Sequence, residues 1–178
     1  FAELIEQNAL ELAVLGSRDN GTEISMAIKA EPGSAAQTIR YYAEAIDKIG
    51  GEIAPTPDGT LALVHRQPIG VVGIIGPWNF PMMIGAWKIA PALAAGNTVV
   101  LKPAEYTPLT ALQFAELCVQ AGLHKGGVNI VTGMGETGAM ISGHPGINKV
   151  AFTGSTEVGR IIRRQTAGQS KKLTLELG

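Results

Sequence analysis

The sequence predicts an α/β protein: a Rossmann-like parallel sheet with helices on both faces, plus a projecting β-hairpin arm. From residue 70 onward, short apolar stretches of strand length alternate with stretches of helical spacing, and glycine or proline separates them. Such alternation is typical of a parallel sheet built through right-handed crossovers. The chain has 178 residues, of which 46% are hydrophobic and only 16% are charged. This composition favours a packed core over disorder.

The first 50 residues predict a helical N-terminal part. One helix is predicted from Phe1 to Gly16, where glycine can end it. A second is predicted from Gly33 to Ile49, starting after Pro32. Residues 51–67 differ, because two prolines and an Asp-Gly pair separate short extended pieces. This pattern predicts a hairpin, which is either an edge ornament or an assembly element.

Residues 68–178 predict the Rossmann-like domain itself. The predicted strands are Val71–Ile75, Thr98–Leu101, Val128–Val131, Lys149–Phe152 and Leu173–Leu177. The predicted helices cover residues 82–95, 107–122, 136–142 and 155–166. Thr107, followed by proline, has the sequence of an N-cap for the second of these helices.

Composition and charge argue against several classes of protein. The net charge is −1 and there is no basic stripe, which argues against a nucleic-acid partner. No apolar stretch is long and uniform enough to span a bilayer. The single cysteine, Cys118, excludes an internal disulfide, and His65, His124 and His144 follow no metal-ligand spacing, so no metal site is predicted. A cytoplasmic location is the default for such a chain.

The segment Pro77-Trp78-Asn79-Phe80-Pro81 directly follows a predicted buried strand. Two prolines fix a rigid turn there, since proline sets φ and removes a donor. The turn holds the amide of Asn79 at the carboxyl end of the strand, where open α/β sheets bind ligands. An amide held in this way can donate to an oxygen that becomes negative in a transition state. Alternatively, Asn79 is simply the turn residue that ends the strand.

Lys102 and Glu105 follow the second strand of the predicted sheet. A carboxylate and an ammonium three residues apart suit the hydroxyl groups of a ribose. In dinucleotide folds such a carboxylate favours NAD over NADP, because it would repel a 2′-phosphate. The alternative is an ordinary surface ion pair.

Two glycine-containing segments follow the next strands. Gly154 allows close backbone approach, and Ser155 and Thr156 open a helix whose N-terminus attracts phosphate, although this segment also reads as a simple helix cap. Gly133 and Gly135 would let the backbone lie close to a flat ring, or form a turn.

Glu176 and Cys118 are the remaining candidates for chemistry. Glu176 ends the last strand between Leu175 and Leu177, so its pKa is expected to be raised and it could act as a general base. A solvated strand-end glutamate is the plainer alternative. Cys118 lies within a predicted apolar helix, where a cysteine is a buried small hydrophobe rather than a nucleophile.

Taken in order, these segments resemble the aldehyde dehydrogenase superfamily, of the NAD(P)-dependent hydrolytic kind. The matching stretches are Gly76–Pro81, Ala92–Asn97, Lys102–Glu105, Pro108–Ala111, Phe152–Thr156 and Leu175–Gly178. The resemblance covers essentially the whole chain. It implies a dehydrogenase that oxidises a small-molecule aldehyde to an acid through a cysteine thiohemiacetal and thioester.

The resemblance also implies roles for single residues. Asn79 resembles the family's oxyanion-hole amide and Glu176 its general base. The implied cofactor is NAD, with NADP as a possibility, and the residues that would bind it are Ile75, Pro77, Trp78, Lys102, Glu105, Gly135, Gly154, Ser155, Val158 and Leu177. The hairpin resembles the arm that joins subunits, which implies a homodimer or homotetramer.

One departure from the family pattern sets a further expectation. The family's nucleophilic cysteine lies in a catalytic domain that follows the last strand of this chain, and Cys118 does not match it. We therefore expect a fragment that is inactive alone. Two alternatives remain open: a non-catalytic nucleotide-binding or structural relative, and an acylating dehydrogenase that uses coenzyme A or phosphate as acceptor.

Overall fold

A computed structural model describes all 178 residues and has an α/β fold with two sheets. The strands are β1 (Glu52–Ala54), β2 (Ala62–Val64), β3 (Val71–Ile75), β4 (Thr98–Lys102), β5 (Val128–Ile130), β6 (Lys149–Gly154) and β7 (Lys172–Leu177). The α-helices are α1 (Ala2–Gln7), α2 (Ala9–Asn20), α3 (Ile24–Ala45), α4 (Pro81–Ala94), α5 (Leu109–Gln120), α6 (Gly135–Gly143) and α7 (Thr156–Gln165). The predicted fold class is confirmed.

The main sheet has five parallel strands in the order β5-β4-β3-β6-β7. The chain builds outward from β3 to β5, then returns across the sheet to β6 on the other side of β3. The strand order therefore reverses between β3 and β6. In open α/β sheets, a crevice for a ligand forms at this reversal, beyond the carboxyl ends of the strands.

The sheet is covered on both faces, and its middle strand, β3, is apolar throughout. Val72 and Ile74 of β3 pack in a core with α1 to α5, while Ile75 packs in a second core with Phe152 and with Ile162 of α7. Successive strand residues point to opposite faces, so one strand contributes to both cores. This double burial fixes the carboxyl ends of β3 and β6 in place.

The N-terminal helices differ from the prediction. The first predicted helix is two helices that meet at Asn8, and the second of these runs past Gly16 to Asn20. Gly16 does not end it because Gly16 is buried, with Thr110 close to where a side chain would project. The helix ends instead at Gly21, which adopts φ 74°.

Helix α3 was predicted to start after Pro32, but it starts at Ile24 and contains Pro32. A proline inside a helix removes one backbone hydrogen bond, at a cost of about 3 kcal/mol. Pro32 is fully buried where α3 packs against α4, so tertiary packing offsets that cost. Helix α3 ends at Ala45, and a 3₁₀ turn covers Ile46–Lys48.

Thr107 was predicted to cap α5, and this was wrong. The Thr107 hydroxyl is buried and has no hydrogen-bond partner. The carboxylate of Asp19, from the end of α2, instead accepts the backbone N–H of Leu109 at 2.8 Å. The cap therefore comes from a residue 90 positions away, which no local pattern could indicate.

The predicted hairpin is present. Strands β1 and β2 pair antiparallel, with Glu52 opposite Val64. Its apolar side chains are exposed: Ile53 is 73% and Leu63 is 67% accessible.

Candidate active site

A cleft of about 910 Å³ opens where the strand order reverses. Its volume is in the range of small-molecule sites, about 300–1,000 Å³. All of the residues to which the resemblance assigned a catalytic or cofactor-binding role line it: Ile75, Pro77, Trp78, Asn79, Lys102, Glu105, Gly135, Gly154, Ser155, Val158, Glu176 and Leu177. The fold thus brings together residues that are up to 102 positions apart in sequence, Ile75 and Leu177 being the outermost.

Asn79 lies on the turn between β3 and α4, as predicted. Its side chain is exposed to the cleft, and its amide forms no hydrogen bond within the chain. The backbone of the turn is held, because the carbonyls of Trp78 and Asn79 both face the Nδ2 donor of Asn20, each at 3.4 Å. The turn therefore presents a free amide on a fixed backbone.

Glu176 was expected to have a raised pKa, and the structure shows the opposite. The Lys88 ammonium lies 2.9 Å from Glu176 Oε2, and the Thr153 hydroxyl donates to the same oxygen at 2.8 Å. The hydrogen bond from Lys88 holds the pKa of Glu176 below its ordinary value, and this effect exceeds that of burial. The flanking leucines do not desolvate the carboxylate, because in a strand they point to the opposite face.

Lys88 is the functional candidate that sequence reasoning missed. It lies in the apolar helix α4, and its side chain is only 5% accessible. A buried lysine needs a partner, since an unpaired buried charge is costly. That rule could have flagged Lys88, but the partner on β7 could not be identified without the fold.

Lys102 and Glu105 form the predicted pair. The Lys102 ammonium is buried and donates to the Pro103 carbonyl at 2.9 Å and to Glu105 Oε2 at 3.3 Å. A hydrogen bond from its own backbone N–H, followed by the contact with Lys102, holds the pKa of Glu105 below its ordinary value. The cleft therefore has an ionised carboxylate with a buried cation beside it.

Backbone groups form another part of the cleft wall. Ser155 Oγ accepts the N–H of Val158 at 3.3 Å and so caps α7, as one of the two readings of this segment predicted. A side chain at Gly154 would start 2.6 Å from the ring of Phe152, so only glycine fits there. Gly135 opens α6 beside the cleft, with no atom within 4 Å of where its Cβ would lie.

Cys118 and the histidines lie apart from the cleft. Burial raises the pKa of the Cys118 thiol to about 12, which agrees with its interpretation as a buried hydrophobe. His65, His124 and His144 are all exposed. No three histidine, cysteine, aspartate or glutamate side chains cluster in a way that could hold a metal ion.

The model of the aldehyde dehydrogenase family matches residues 1–178. The chain is 50% identical over 180 residues to retinaldehyde dehydrogenase 3 of Mus musculus, covering all of this chain and 35% of that protein. It is 49% identical over 184 residues to the cytosolic 10-formyltetrahydrofolate dehydrogenase of Homo sapiens, covering 20% of that protein. The chain thus spans 35% of the length of the first relative and 20% of the length of the second.

Solved structures agree with the sequence comparisons. A putative aldehyde dehydrogenase from Burkholderia cenocepacia has a TM-score of 0.97 and 48% identity, over 99% of this chain and 36% of that one. The indole-3-acetaldehyde dehydrogenase AldA of P. syringae, solved in complex with NAD⁺, has a TM-score of 0.97 and 43% identity, over 100% of this chain and 36% of that one. No helix of the chain is both long and apolar enough to cross a membrane.

Proposed function

The chain belongs to the aldehyde dehydrogenase family, and we propose that it forms the part that binds the nicotinamide cofactor in an enzyme that oxidises an aldehyde to a carboxylic acid. The observation that carries this proposal is the lining of one cleft. A free amide, Asn79, and an ionised carboxylate, Glu176, line the same cleft as the lysine–glutamate pair and the capped N-terminus of α7. The first two groups suit catalysis, and the other two suit the binding of a dinucleotide.

The residues of the cleft fit a dinucleotide. Its volume of about 910 Å³ is ample. At Gly135 nothing lies within 4 Å of where a Cβ would be, so a side chain there would take up open space beside the cleft. At Gly154 the ring of Phe152 excludes a side chain, which leaves the backbone bare where it lines the cleft. The N–H groups at the start of α7 provide donors and a partial positive charge for a pyrophosphate, with Ser155 beside them.

The proposed contact for the adenosine ribose is the pair Lys102 and Glu105. Ionised Glu105 would accept hydrogen bonds from the ribose hydroxyls, and the buried ammonium of Lys102 would donate one. A 2′-phosphate would meet the charge of Glu105 at short range. We therefore propose NAD as the preferred cofactor, with Lys102 as the group that gives NADP some affinity.

Asn79 is proposed to donate to the aldehyde oxygen as that oxygen becomes negative. The amide is uncharged, and contacts from Asn20 hold the backbone that carries it, so little rearrangement is needed when charge develops. When bound, the cofactor would supply the hydride acceptor. Val158 and Trp78 would form apolar walls, since both are partly exposed to the cleft.

Glu176 is proposed to accept the proton of the water that releases the acid. Lys88 and Thr153 both bond to Oε2, so Oε1 is free to face a water molecule. The ammonium of Lys88 keeps the carboxylate ionised, and therefore competent as a base, at neutral pH. Cys118 is not proposed as the nucleophile, because its thiol is buried and protonated.

The hairpin β1–β2 is proposed as an assembly arm. Ile53, Leu61 and Leu63 are each about two-thirds or more exposed, which is unusual for three apolar side chains so close together. An exposed pair of strand edges with apolar side chains is suited to a second copy of the chain.

Replacement of Asn79 by alanine in the full-length protein tests the proposal. We expect kcat for NADH formation from an aldehyde to fall by about 10²–10³, because one oxyanion donor is lost. The Kd for NAD⁺ should stay within about twofold, since Asn79 is proposed to contact only the reacting oxygen. Asn8→Ala, between α1 and α2 and outside the cleft, serves as the control and should leave both values unchanged. Equal losses in kcat and in cofactor affinity would contradict the oxyanion role.

A further inference from the structure

The turn that carries Asn79 is held from two sides by the N-terminal helices. On one side, Asn20 ends α2, and its Nδ2 group lies 3.4 Å from the carbonyl oxygens of Trp78 and of Asn79. Its Oδ1 atom accepts the N–H of Thr22 at 2.9 Å, which fixes the orientation of the amide. The donor end of Asn20 therefore faces the backbone of the turn.

On the other side, Glu31 of α3 reaches the start of α4. Its Oε2 atom accepts the backbone N–H of Met83 at 2.8 Å. The backbone N–H of Met82 also faces the carboxylate and, like that of Met83, acts to lower its pKa. Helix α4 begins at Pro81, which has no N–H, and Phe80 provides no side-chain cap. Glu31 therefore provides the carboxylate that satisfies the free donors at this helix end.

Glu31 is an unusual residue for this place. It is 5% exposed and has no cationic partner among the ion pairs of the chain. Burial of a carboxylate is costly unless it is hydrogen-bonded, and here the compensation comes from the N–H groups and the positive end of α4. A capping role on an exposed helix could be filled by serine or threonine, so the buried charge implies that the position of α4 is tightly set.

We propose that Asn20 and Glu31 are positioning residues that set the Asn79 amide for the reaction. The two contacts are joined by the short segment from Trp78 to Met83, which follows Pro77 and contains Pro81. The backbone of this segment has little freedom of its own. Its placement therefore follows helices α2 and α3, which act on Asn79 without touching the substrate.

This inference rests on the proposed function, because the benefit of a fixed amide is catalytic. Misplacement of a reacting group by about 1 Å can cost about 100-fold in rate. Loss of either contact should thus reduce kcat and change the affinity for the cofactor little, because the proposed polar contacts of the cofactor, the Lys102–Glu105 pair and the start of α7, lie on other elements. Only the apolar wall at Trp78 belongs to the turn itself.

The test uses Asn20→Asp and Glu31→Met in the full-length protein. Asn20→Asp keeps the acceptor for Thr22 but replaces the donor by an oxygen. We expect kcat to fall by about 10- to 100-fold with the Kd for NAD⁺ within twofold. Glu31→Met keeps the volume but removes both bonds at α4, and Glu31→Gln, which retains one carbonyl oxygen, should recover part of kcat. Asn8→Asp is the matched control, because Asn8 also donates to a helix carbonyl, that of Leu4.

A double-mutant cycle separates positioning from general destabilisation. In an Asn79→Ala background, Asn20→Asp should cost less than about threefold in kcat, since the amide that it positions is gone. The same cost in both backgrounds, or no loss of kcat in an active Asn20→Asp enzyme, would overturn the inference.

Hydrogen exchange at the Met83 amide gives a readout independent of activity. Glu31→Met should speed that exchange by at least about tenfold, while Asn79→Ala should not change it. If the unmodified protein oxidises no aldehyde, the proposed function fails. Exchange at Met83 then decides the structural part alone: faster exchange in Glu31→Met supports the hold on the turn, and unchanged exchange overturns it.

Discussion

Two carboxylates of this chain contact helix α4 from contrasting environments. Glu31 is buried in the helical layer and contacts backbone N–H groups, whereas Glu176 is half-exposed at the edge of the sheet and contacts a buried lysine. Desolvation raises the pKa of Glu31, with the bonds from Met83 and Met82 acting against it. The hydrogen bond from Lys88 lowers the pKa of Glu176.

Whether a carboxylate can act on a ligand depends on its own exposure and not on the burial of the group that it contacts. Glu31 is inaccessible, so its charge can only act on the helix that it caps. Glu176 keeps one oxygen open to the cleft while the partner beneath it is buried, so its charge is available to a ligand. Glu31 is therefore suited to positioning the helix that it caps, and Glu176 is suited to accepting a proton in the reaction.

The largest expected effect is that of Glu176→Gln. Loss of a general base typically costs about 10²–10⁴ in rate, and the glutamine is equal in size. The release of acid should become limiting, so a rapid-quench experiment should detect a burst of NADH followed by slow turnover. Glu136→Gln, on the first turn of α6, is the control and should leave kcat unchanged. An unchanged steady-state rate in Glu176→Gln would remove Glu176 from the mechanism.

Lys88→Met should change the pH dependence of kcat. Because the ammonium lowers the pKa of Glu176, its removal should raise that pKa. The carboxylate is active when ionised, so the acid limb of the kcat–pH profile should move to higher pH, and activity should be lost on the acid side of that limb. The profile of Lys29→Met, a substitution of an exposed lysine, should match that of the unmodified enzyme. An acid limb that stays in place would show that Lys88 does not control Glu176.

A third carboxylate, Glu105, is predicted to determine the preference for NAD⁺ over NADP⁺. Glu105→Gln removes the charge that a 2′-phosphate would meet, so the affinity for NADP⁺ relative to NAD⁺ should rise by about tenfold. Calorimetric titration with each cofactor measures this ratio. A ratio that does not move would contradict the placement of the ribose at Glu105.

The smallest expected effect is on stability as a function of pH. Glu31 has a folded-state pKa above its ordinary 4.5, so its contribution to stability is present below 4.5 and is lost as pH rises through the folded-state pKa. Glu176 has a folded-state pKa below 4.5, so its contribution is present above 4.5 and is lost as pH falls through the folded-state pKa.

The corresponding glutamine variants should therefore show opposite trends. In urea unfolding measured at a series of pH values on both sides of 4.5, Glu31→Gln should gain stability relative to the unmodified protein as pH rises. Glu176→Gln should worsen over the same change. Parallel trends for the two variants would remove the contrast between the two carboxylates.

Much of the fold could be predicted from sequence because its signals are local. The strand β3, the helix α4 and the hairpin turn each follow from the spacing of apolar residues, prolines and glycines. The meeting of Asn79, Lys102, Ser155 and Glu176 in one cleft also follows, since the carboxyl ends of parallel strands lie at one edge of the sheet. Other lining residues, such as Val158 and Leu177, were indicated only by the resemblance to the family.

The errors came from contacts between distant segments. Pro32 is tolerated inside α3 because of packing on α4, and α5 is capped by Asp19 rather than by its neighbour Thr107. Likewise, the pKa of Glu176 depends on Lys88, which is 88 positions away on another element. Charge and capping partners of this kind are set by tertiary structure, and local patterns do not encode them.

A crystal structure of the full-length protein with NAD⁺ bound would test the central claim most directly. We expect the adenosine ribose to lie within hydrogen-bond distance of Lys102 and Glu105, and the pyrophosphate to lie at the start of α7 beside Ser155. The nicotinamide should lie in the part of the cleft that Asn79 and Glu176 line. A dinucleotide bound elsewhere, or a cleft that binds none at saturating NAD⁺, would contradict it.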